Sequence, residues 1–277
     1  MDWRLLLWSG VLLLWVGVGY AWSQQERILL RRKSPYNEIQ VAQQGHERIL
    51  RVRQGAQFVE ESRCDMRRPA HLLHQYSRLQ LVASLYPAEL RRALVVGLGG
   101  GSLSKALLEV YPELQVDSLE LDPEIERVAR QFFGFPVGGR SRSLVQDGRA
   151  YLEGCSESYD LIVLDAFDGL EIPEPLRTRG FYQLVLRHLA PGGVVASNLH
   201  RRSTTYDRDR ATLAAVYPHH IGLNGTGLVI VLSSAAPLQL HRERWNTRWG
   251  FQVDPLLLLQ EPKPHVSGDA IPFDDPP

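Results

Sequence analysis

The chain has 277 residues, which is enough for one α/β domain with a sizeable core and a small additional element. Lysine plus arginine number 31 and aspartate plus glutamate number 31, so the formal net charge is zero. No global field therefore draws the protein to nucleic acid, and we expect no nucleic-acid partner. Cys64 and Cys155 lack metal-ligand spacing and could form at most one disulfide, so they predict no metal site and leave the redox compartment open.

A hydrophobic leader occupies residues 1–25. The segment from Leu5 to Trp22 is apolar apart from Ser9 and several glycines, which is at the short end of a bilayer-spanning helix. Gly19-Tyr20-Ala21 also resembles the cleavage site of a signal peptide. More basic residues follow the segment than precede it, which favours an uncleaved inner-membrane anchor with the downstream domain in the cytoplasm. Export after cleavage is the alternative.

A small antiparallel β-domain is predicted over residues 34–68. Its apolar runs are short and strand-like, and Gly45 and Gly55 separate them as turn signals. The segment has no core of its own, so we expect it to pack against the next domain of the chain or against a second subunit. The stretch from His71 to Leu85 is amphipathic and predicts a helix.

Strands and helices then alternate within a main domain of residues 69–260, which is typical of a mainly parallel sheet. The predicted strands are 93–96, 116–121, 143–145, 159–164, 194–197 and 228–232. The predicted helices are 102–110, 123–132, a turn at 150–152, 179–189 and 207–217. From Glu261 onward the sequence is rich in proline and poor in large apolar residues, which predicts a mobile tail over 261–277.

A glycine-rich turn joins the first strand of this domain to its first helix. Gly97-x-Gly99-Gly100-Gly101 lets the backbone turn tightly and approach a ligand with no Cβ in the way. The next strand ends at Glu120, where a carboxylate can accept hydrogen bonds from both hydroxyls of a ribose. The spacing differs from the G-x-G-x-x-G of dinucleotide sites, which favours an S-adenosyl nucleoside. The pattern predicts a Rossmann-like, S-adenosylmethionine-dependent-transferase fold.

Acidic residues also come directly after the next two strands. In an open parallel sheet, ligands bind at the carboxyl ends of the strands. Asp147-Gly148 suits the edge of an adenine, while Asp165 and Asp168 are placed to orient an amine and to take its proton. Each aspartate could instead cap a helix. Caps are a poor explanation for acidic residues at three successive strand ends, so we interpret these residues as a nucleoside site with a catalytic carboxylate.

Five segments carry motifs that together resemble the spermidine synthase family, the polyamine aminopropyltransferases. The resemblance runs from about Ser34 to Leu199 and covers most of the predicted folded part. The segments are Ser34-Pro35-Tyr36-Asn37-Glu38-Ile39, the glycine-rich stretch 94–101, Glu120-Leu121-Asp122, the Asp-Gly stretch 146–152 and the stretch 159–168 that ends in Asp165-Ala166-Phe167-Asp168.

The resemblance implies aminopropyl transfer from decarboxylated S-adenosylmethionine to a polyamine amine, without a metal. By the same resemblance, Glu120 binds the ribose, Asp147 binds the adenine, Asp165 is the catalytic base and Asp168 binds a polyamine nitrogen. The family is usually dimeric or tetrameric, so a homodimer is expected. The remaining residues assigned in this way are Gly97, Gly99, Gly100, Gly101, Gly148 and Asn37 for the cofactor, and Gln75 and Tyr76 for the substrate.

The sequence departs from the family at two positions. Gly100 stands where the family carries an aspartate for the aminopropyl amine, and no glutamate follows His74-Gln75-Tyr76. Each lost carboxylate removes a charge-assisted bond of about 1.5–3 kcal/mol. The same glycine loop is seen in spermidine-synthase-like methyltransferases that use intact S-adenosylmethionine, so an aspartate at Gly100 should favour the decarboxylated donor. Methyl transfer on the same fold and a non-catalytic nucleoside-binding protein are the alternatives.

Overall fold

A computed structural model describes residues 25–245 and 270–276 of the chain. All but the last residue of the predicted leader, and the predicted domain boundary at 260, lie outside these residues. In the two described stretches, no helix is both long enough and apolar enough to cross a membrane. The leader therefore stays a prediction from the sequence.

The first folded unit is a four-stranded antiparallel sheet. Its strands pair in chain order and are β1 (Arg27–Lys33), β2 (Glu38–Gln44), β3 (Glu47–Gln54) and β4 (Gln57–Asp65). The sheet starts at Arg27, before the predicted boundary at residue 34. The sequence does not predict β1 because most of its residues are basic, and such strands are tolerated at a sheet edge, where one side is open to solvent.

The second unit is a seven-stranded sheet with helices between its strands. The strands are β5 (Arg92–Val96), β6 (Gln115–Glu120), β7 (Ser141–Val145), β8 (Tyr159–Leu164), β9 (Leu189–His200), β10 (His219–Gly225) and β11 (Leu228–Ser234). The helices are α1 (Gln75–Ala83), α2 (Ser102–Val110), α3 (Pro123–Phe132), α4 (Gly148–Gly154), α5 (Arg179–Arg187) and α6 (Tyr206–Val216), with short 3₁₀ turns at Glu174–Leu176 and Arg242–Arg244.

The strand order across this sheet is β10-β11-β9-β8-β5-β6-β7. Strands β7, β6, β5, β8 and β9 are parallel to one another, whereas β11 is antiparallel to both β9 and β10. The carboxyl ends of β5, β6 and β8 therefore meet at one edge of the sheet. This is the predicted Rossmann-like fold with its preceding antiparallel sheet.

Helices cover both faces of the large sheet, as the continuous apolar strands require. Alternate residues of β5 point to opposite faces: Val95 packs in a cluster with α1 and α2, whereas Val96 packs in a cluster with α4, α5 and α6. The small sheet completes its core with α3, because Ile39 and Leu50 share a buried cluster with Val128. This confirms that the small sheet packs against the following domain.

The differences from the sequence prediction include a helix boundary and a missed strand. The helix predicted from His71 begins only at Gln75. Strand β10 is not predicted at all, because His219, His220 and Asn224 make it polar for a strand. It forms the outer edge of the sheet, where its pairing with β11 on one side is enough to hold it.

Residues 270–276 of the predicted mobile tail pack against the main domain. The Phe273 ring lies 3.5 Å from the Arg208 guanidinium carbon and 4.4 Å from that of Arg177. The Phe273 backbone carbonyl accepts a hydrogen bond from the Arg179 backbone N–H at 2.7 Å. Asp275 accepts a 2.6 Å hydrogen bond from the Thr178 hydroxyl. Composition misses this because these contacts depend on arginines far away in the sequence.

Replacing Phe273 by alanine should lower the free energy of unfolding by about 1–2 kcal/mol, because it removes two cation–π contacts and a partly buried ring. Thermal denaturation measures this as a fall in Tm of roughly 2–8 °C. Ile271→Ala is the matched control, since Ile271 is 73% exposed and should change Tm by much less. Equal effects of the two variants would contradict the docking of the segment.

Candidate active site

A cavity of about 490 Å³ lies where the small sheet covers the carboxyl ends of β5, β6 and β8. Parallel strands bring their carboxyl ends to one edge, so side chains distant in sequence meet there. Most of the predicted site residues line this cavity. They are Asn37, Tyr76, Gly97, Gly99, Glu120, Asp147, Gly148, Asp165 and Asp168.

Gly100 and Gly101 do not line the cavity, contrary to the sequence prediction. The Gly100 backbone N–H donates to the Ser62 hydroxyl at 2.9 Å, and a Cβ at this position would meet Ser62 and Phe133 at 3.0 Å. Gly101 begins α2 with φ +69°, and a Cβ there would lie 2.3 Å from the Phe135 ring. Both glycines are needed for packing. An aspartate at Gly100 would therefore strain the loop, and we no longer expect it to select the decarboxylated donor.

Gln75 also lies outside the cavity. Its side-chain oxygen accepts a 2.7 Å hydrogen bond from the Thr226 backbone N–H, in the turn between β10 and β11. This contact fixes the start of α1 against the sheet. The assignment of Gln75 to substrate binding stays a prediction, and the contact that the structure shows for its side chain is this structural one.

Glu120 organises the glycine loop. One carboxylate oxygen accepts hydrogen bonds from the Leu98 and Gly99 backbone N–H groups at 3.2 and 3.4 Å, and the other accepts from the Asp122 N–H at 3.0 Å. Burial raises the pKa of Glu120, and these three hydrogen bonds oppose the rise. The carboxylate therefore lies at the end of β6, beside the loop, as the βαβ pattern predicts.

Two aspartates of the site also cap helices. Asp147 accepts a 2.8 Å hydrogen bond from the Ala150 N–H at the start of α4, and it lines the cavity as well. Asp122 caps α3 through the Glu124 N–H at 2.9 Å and accepts a 3.0 Å hydrogen bond from the Asn37 side chain. Asp147 therefore caps a helix and also lines the cavity. Asn37 ties the small sheet to the end of β6.

Asp165 and Asp168 differ in their surroundings. Asp165 is partly buried and accepts a 2.9 Å hydrogen bond from the Asn198 side chain on β9. Burial raises its pKa, while the Asn198 hydrogen bond and the nearby His200 oppose the rise. Asp168 is exposed on the following loop, and its backbone pairs with that of Glu171. Of the two, Asp165 has the environment of a general base.

Sequence analysis misses Glu61, which also lines the cavity. In the pairing of β3 with β4, Leu50 lies opposite Ser62 and Arg51 lies opposite Glu60, so Glu61 is the extra residue of a β-bulge. The Tyr76 hydroxyl donates a 3.1 Å hydrogen bond to the Glu61 carbonyl. The sequence signal for an acidic residue at this place is the Glu60-Glu61 pair. Successive side chains of a strand point to opposite faces of the sheet, so one of two consecutive glutamates points inward.

Burial and the charges of Asp165 and Glu120 raise the pKa of Glu61 to about 7, from an ordinary value of 4.5. Between these two pH values the folded protein binds more protons at Glu61 than the unfolded chain does. The stability that this group contributes is complete below pH 4.5 and is lost as the pH rises to about 7.

We expect Glu61→Gln to remove this part of the pH dependence. The free energy of unfolding of the unmodified protein, relative to the variant, should fall as the pH rises through that window. Chemical denaturation at several pH values measures the difference. Glu60→Gln is the control on the same strand, since Arg63 holds the Glu60 carboxylate at 2.6 and 2.8 Å outside this interaction. If the difference in the free energy of unfolding between wild type and Glu61→Gln did not change with pH, that result would contradict the burial of a charged Glu61.

The structure has the Rossmann-like fold that the sequence predicts for an S-adenosylmethionine-dependent transferase. The family model described as "Spermine/spermidine synthase domain" matches residues 76–211. This match agrees with the resemblance drawn from the motifs.

The chain is similar both to known aminopropyltransferases and to a known methyltransferase. A polyamine aminopropyltransferase of Vibrio vulnificus is 33% identical over 200 residues, 70% of this chain and 66% of that protein. The chain thus spans slightly less than two thirds of this relative. A probable spermidine synthase from Corynebacterium glutamicum has the same fold, with a TM-score of 0.66 at 23% identity over 76% of this chain and 81% of that one.

Human methyltransferase-like protein 13, solved in complex with SAH, is 28% identical with a TM-score of 0.51. The match covers 68% of this chain and 91% of that one. Similarity therefore extends to a methyltransferase as well as to aminopropyltransferases.

Proposed function

We propose that the protein transfers an aminopropyl group from decarboxylated S-adenosylmethionine to an amine of a polyamine. The observation that carries the proposal is Asp165, a partly buried carboxylate with a raised pKa at the end of β8, in the cavity that Glu120 and the glycine loop border. The similarity to polyamine aminopropyltransferases and the spermidine synthase domain support the same activity.

Each residue then has a defined task. Glu120 accepts hydrogen bonds from the ribose hydroxyls, and Asp147 accepts one from the adenine amine. Asp165 orients the acceptor amine and takes its proton, while Asp168 binds a second nitrogen of the polyamine at the cavity mouth. The amine lone pair forms a bond to the methylene carbon of the aminopropyl chain that is attached to the sulfonium. The bond between this carbon and sulfur breaks, with its electrons going to sulfur. The products are methylthioadenosine and the extended polyamine.

Incubation of the protein with decarboxylated S-adenosylmethionine and a panel of diamines tests the proposal. We expect methylthioadenosine to be released in a diamine-dependent way, as measured by chromatography. Absence of release with every diamine would refute aminopropyl transfer.

A second candidate function is methyl transfer from intact S-adenosylmethionine. The similarity to human methyltransferase-like protein 13 in complex with SAH favours it. Formation of S-adenosylhomocysteine in the presence of a lysate would support methyl transfer. A non-catalytic nucleoside-binding protein is the third candidate, and it predicts no turnover of either donor.

We further propose that the leader anchors the protein in the inner membrane with the catalytic domain in the cytoplasm, and that the protein is a homodimer. The apolar run and the basic residues after it support the anchor, and the family resemblance supports the dimer. Membrane fractionation with N-terminal sequencing tests the first proposal, and recovery of a soluble chain cleaved near Ala21 would refute it. Light scattering of the purified protein tests the second.

A further inference from the structure

The carboxylates on the cavity have no matching set of cations among the described lining residues. Acidic side chains come from three elements around the same space: Glu61 on β4, Glu120 on β6 and Asp165 on β8. They act on one another, since the charges of Asp165 and Glu120 both raise the pKa of Glu61. A cavity with this excess of negative charge attracts cations and repels anions.

The basic groups that line the described part of the cavity do not offset this excess. Arg53 forms a salt bridge with Glu38 at 2.5 Å, and its guanidinium carbon lies 4.9 Å from the centre of the Phe58 ring. Burial lowers the pKa of His200, which favours its neutral form. Among the described lining residues, no cation is therefore available to pair with a carboxylate that enters the cavity.

The β-bulge places Glu61 on the cavity that the other two carboxylates also line. Tyr76 holds the bulge through its hydrogen bond to the Glu61 carbonyl, and the Gln54 side chain donates to the Glu61 carboxylate at 3.4 Å. In the proposed function Glu120 marks the ribose and Asp165 marks the reacting centre. The aminopropyl chain of the donor extends from the sulfonium past the reacting methylene and ends in an ammonium, which is the cation that a further carboxylate on this cavity can bind.

We propose that Glu61 binds the terminal ammonium of the aminopropyl chain and so selects decarboxylated S-adenosylmethionine over the intact form. This inference rests on the proposed aminopropyl transfer and assigns its donor specificity. The intact form carries a carboxylate beside the same ammonium, which Glu61 repels. Glu61 thus supplies, from β4, a carboxylate that Gly100 and α1 lack.

Calorimetric titration of the full-length protein with each donor form, without an acceptor amine, tests the selection. Glu61→Gln should weaken the decarboxylated form about ten- to a hundredfold and leave the intact form unchanged or slightly tighter. Glu60→Gln is the matched control, because Arg63 engages the Glu60 carboxylate, and it should keep the wild-type ratio of affinities. Equal weakening of both forms in Glu61→Gln, or no change in either, would overturn the proposal.

A second measurement needs no variant. Before the donor binds, the raised pKa keeps a proton on Glu61 for part of the time near neutral pH, and binding of a cation stabilises the ionised form. Titrations in buffers of different ionisation enthalpy should therefore show proton release on binding, increasing as the pH falls from about 7.5 to 6. Uptake of protons, or no exchange, would overturn the proposal.

The two proposals can fail separately. The titrations contain no acceptor, so they report on the donor site even if methylthioadenosine never forms. Conversely, methylthioadenosine formation together with an unchanged affinity ratio in Glu61→Gln would leave aminopropyl transfer standing and remove Glu61 from donor selection.

Discussion

Replacement of Asp165 by asparagine is expected to lower the rate of transfer by about 10²–10⁴-fold, because the amide cannot take a proton from the attacking amine. The asparagine oxygen can still accept the hydrogen bond from Asn198, so the fold and the affinity for the donor should change little. Steady-state kinetics and donor titration measure the two effects. The split between rate and affinity distinguishes a catalytic base from a structural carboxylate.

The pH profile gives an independent check on Asp165. Burial raises its pKa, and only the ionised form acts as a base, so the rate should fall as the pH drops through that raised value. Asp207→Asn is the matched control, since Asp207 is exposed on α6, outside the residues that line the cavity. A rate in Asp165→Asn equal to that of the control would show that Asp165 is not the catalytic base.

Replacement of Gly97 by alanine is expected to have the largest effect on stability. Gly97 has φ +100°, and a Cβ would lie 2.2 Å from the Asp165 carbonyl oxygen, where the ends of β5 and β8 approach each other. We expect about 1–2 kcal/mol from the backbone strain and a further 1–3 kcal/mol from the overlap. The displacement of Asp165 should also reduce activity, beyond what the loss of folded protein explains.

Gly55→Ala separates the two contributions to this loss. Gly55 has φ +59° in the turn between β3 and β4, and nothing lies within 4 Å of a Cβ there. It should therefore show the strain alone, a loss of about 1–2 kcal/mol with unchanged activity. Urea denaturation of both variants measures the difference, and equal losses would show that the approach of Gly97 to Asp165 is not rigid.

Local patterns in the sequence were sufficient for most of the large sheet and for much of the site. The apolar run ending at Val96, the glycines after it and Glu120 at the end of the next strand lie within one βαβ unit. Their geometry depends on residues close in sequence. The acidic ends of β7 and β8 could also be read locally, because parallel strands must bring their carboxyl ends to the same edge.

Contacts between distant segments decided the rest. Gly100 is excluded from the cavity by Ser62 and Phe133, and the docking of residues 270–276 depends on Arg177 and Arg208. Composition and periodicity carry no information on which remote side chain fills the space beside a given residue, since that depends on how separate elements pack.

Glu61 shows the division most clearly. Its sequence shows only that two glutamates are adjacent in a strand, and the prediction of an antiparallel sheet does not reveal a bulge. The shift in pairing between β3 and β4 turns Glu61 toward the cavity, and the seven-stranded sheet brings Asp165 and Glu120 beside it. The sequence by itself determined a βαβ fold with acidic strand ends. Only the tertiary structure placed a third carboxylate among them, because the position and the pKa of Glu61 are set by groups on other elements.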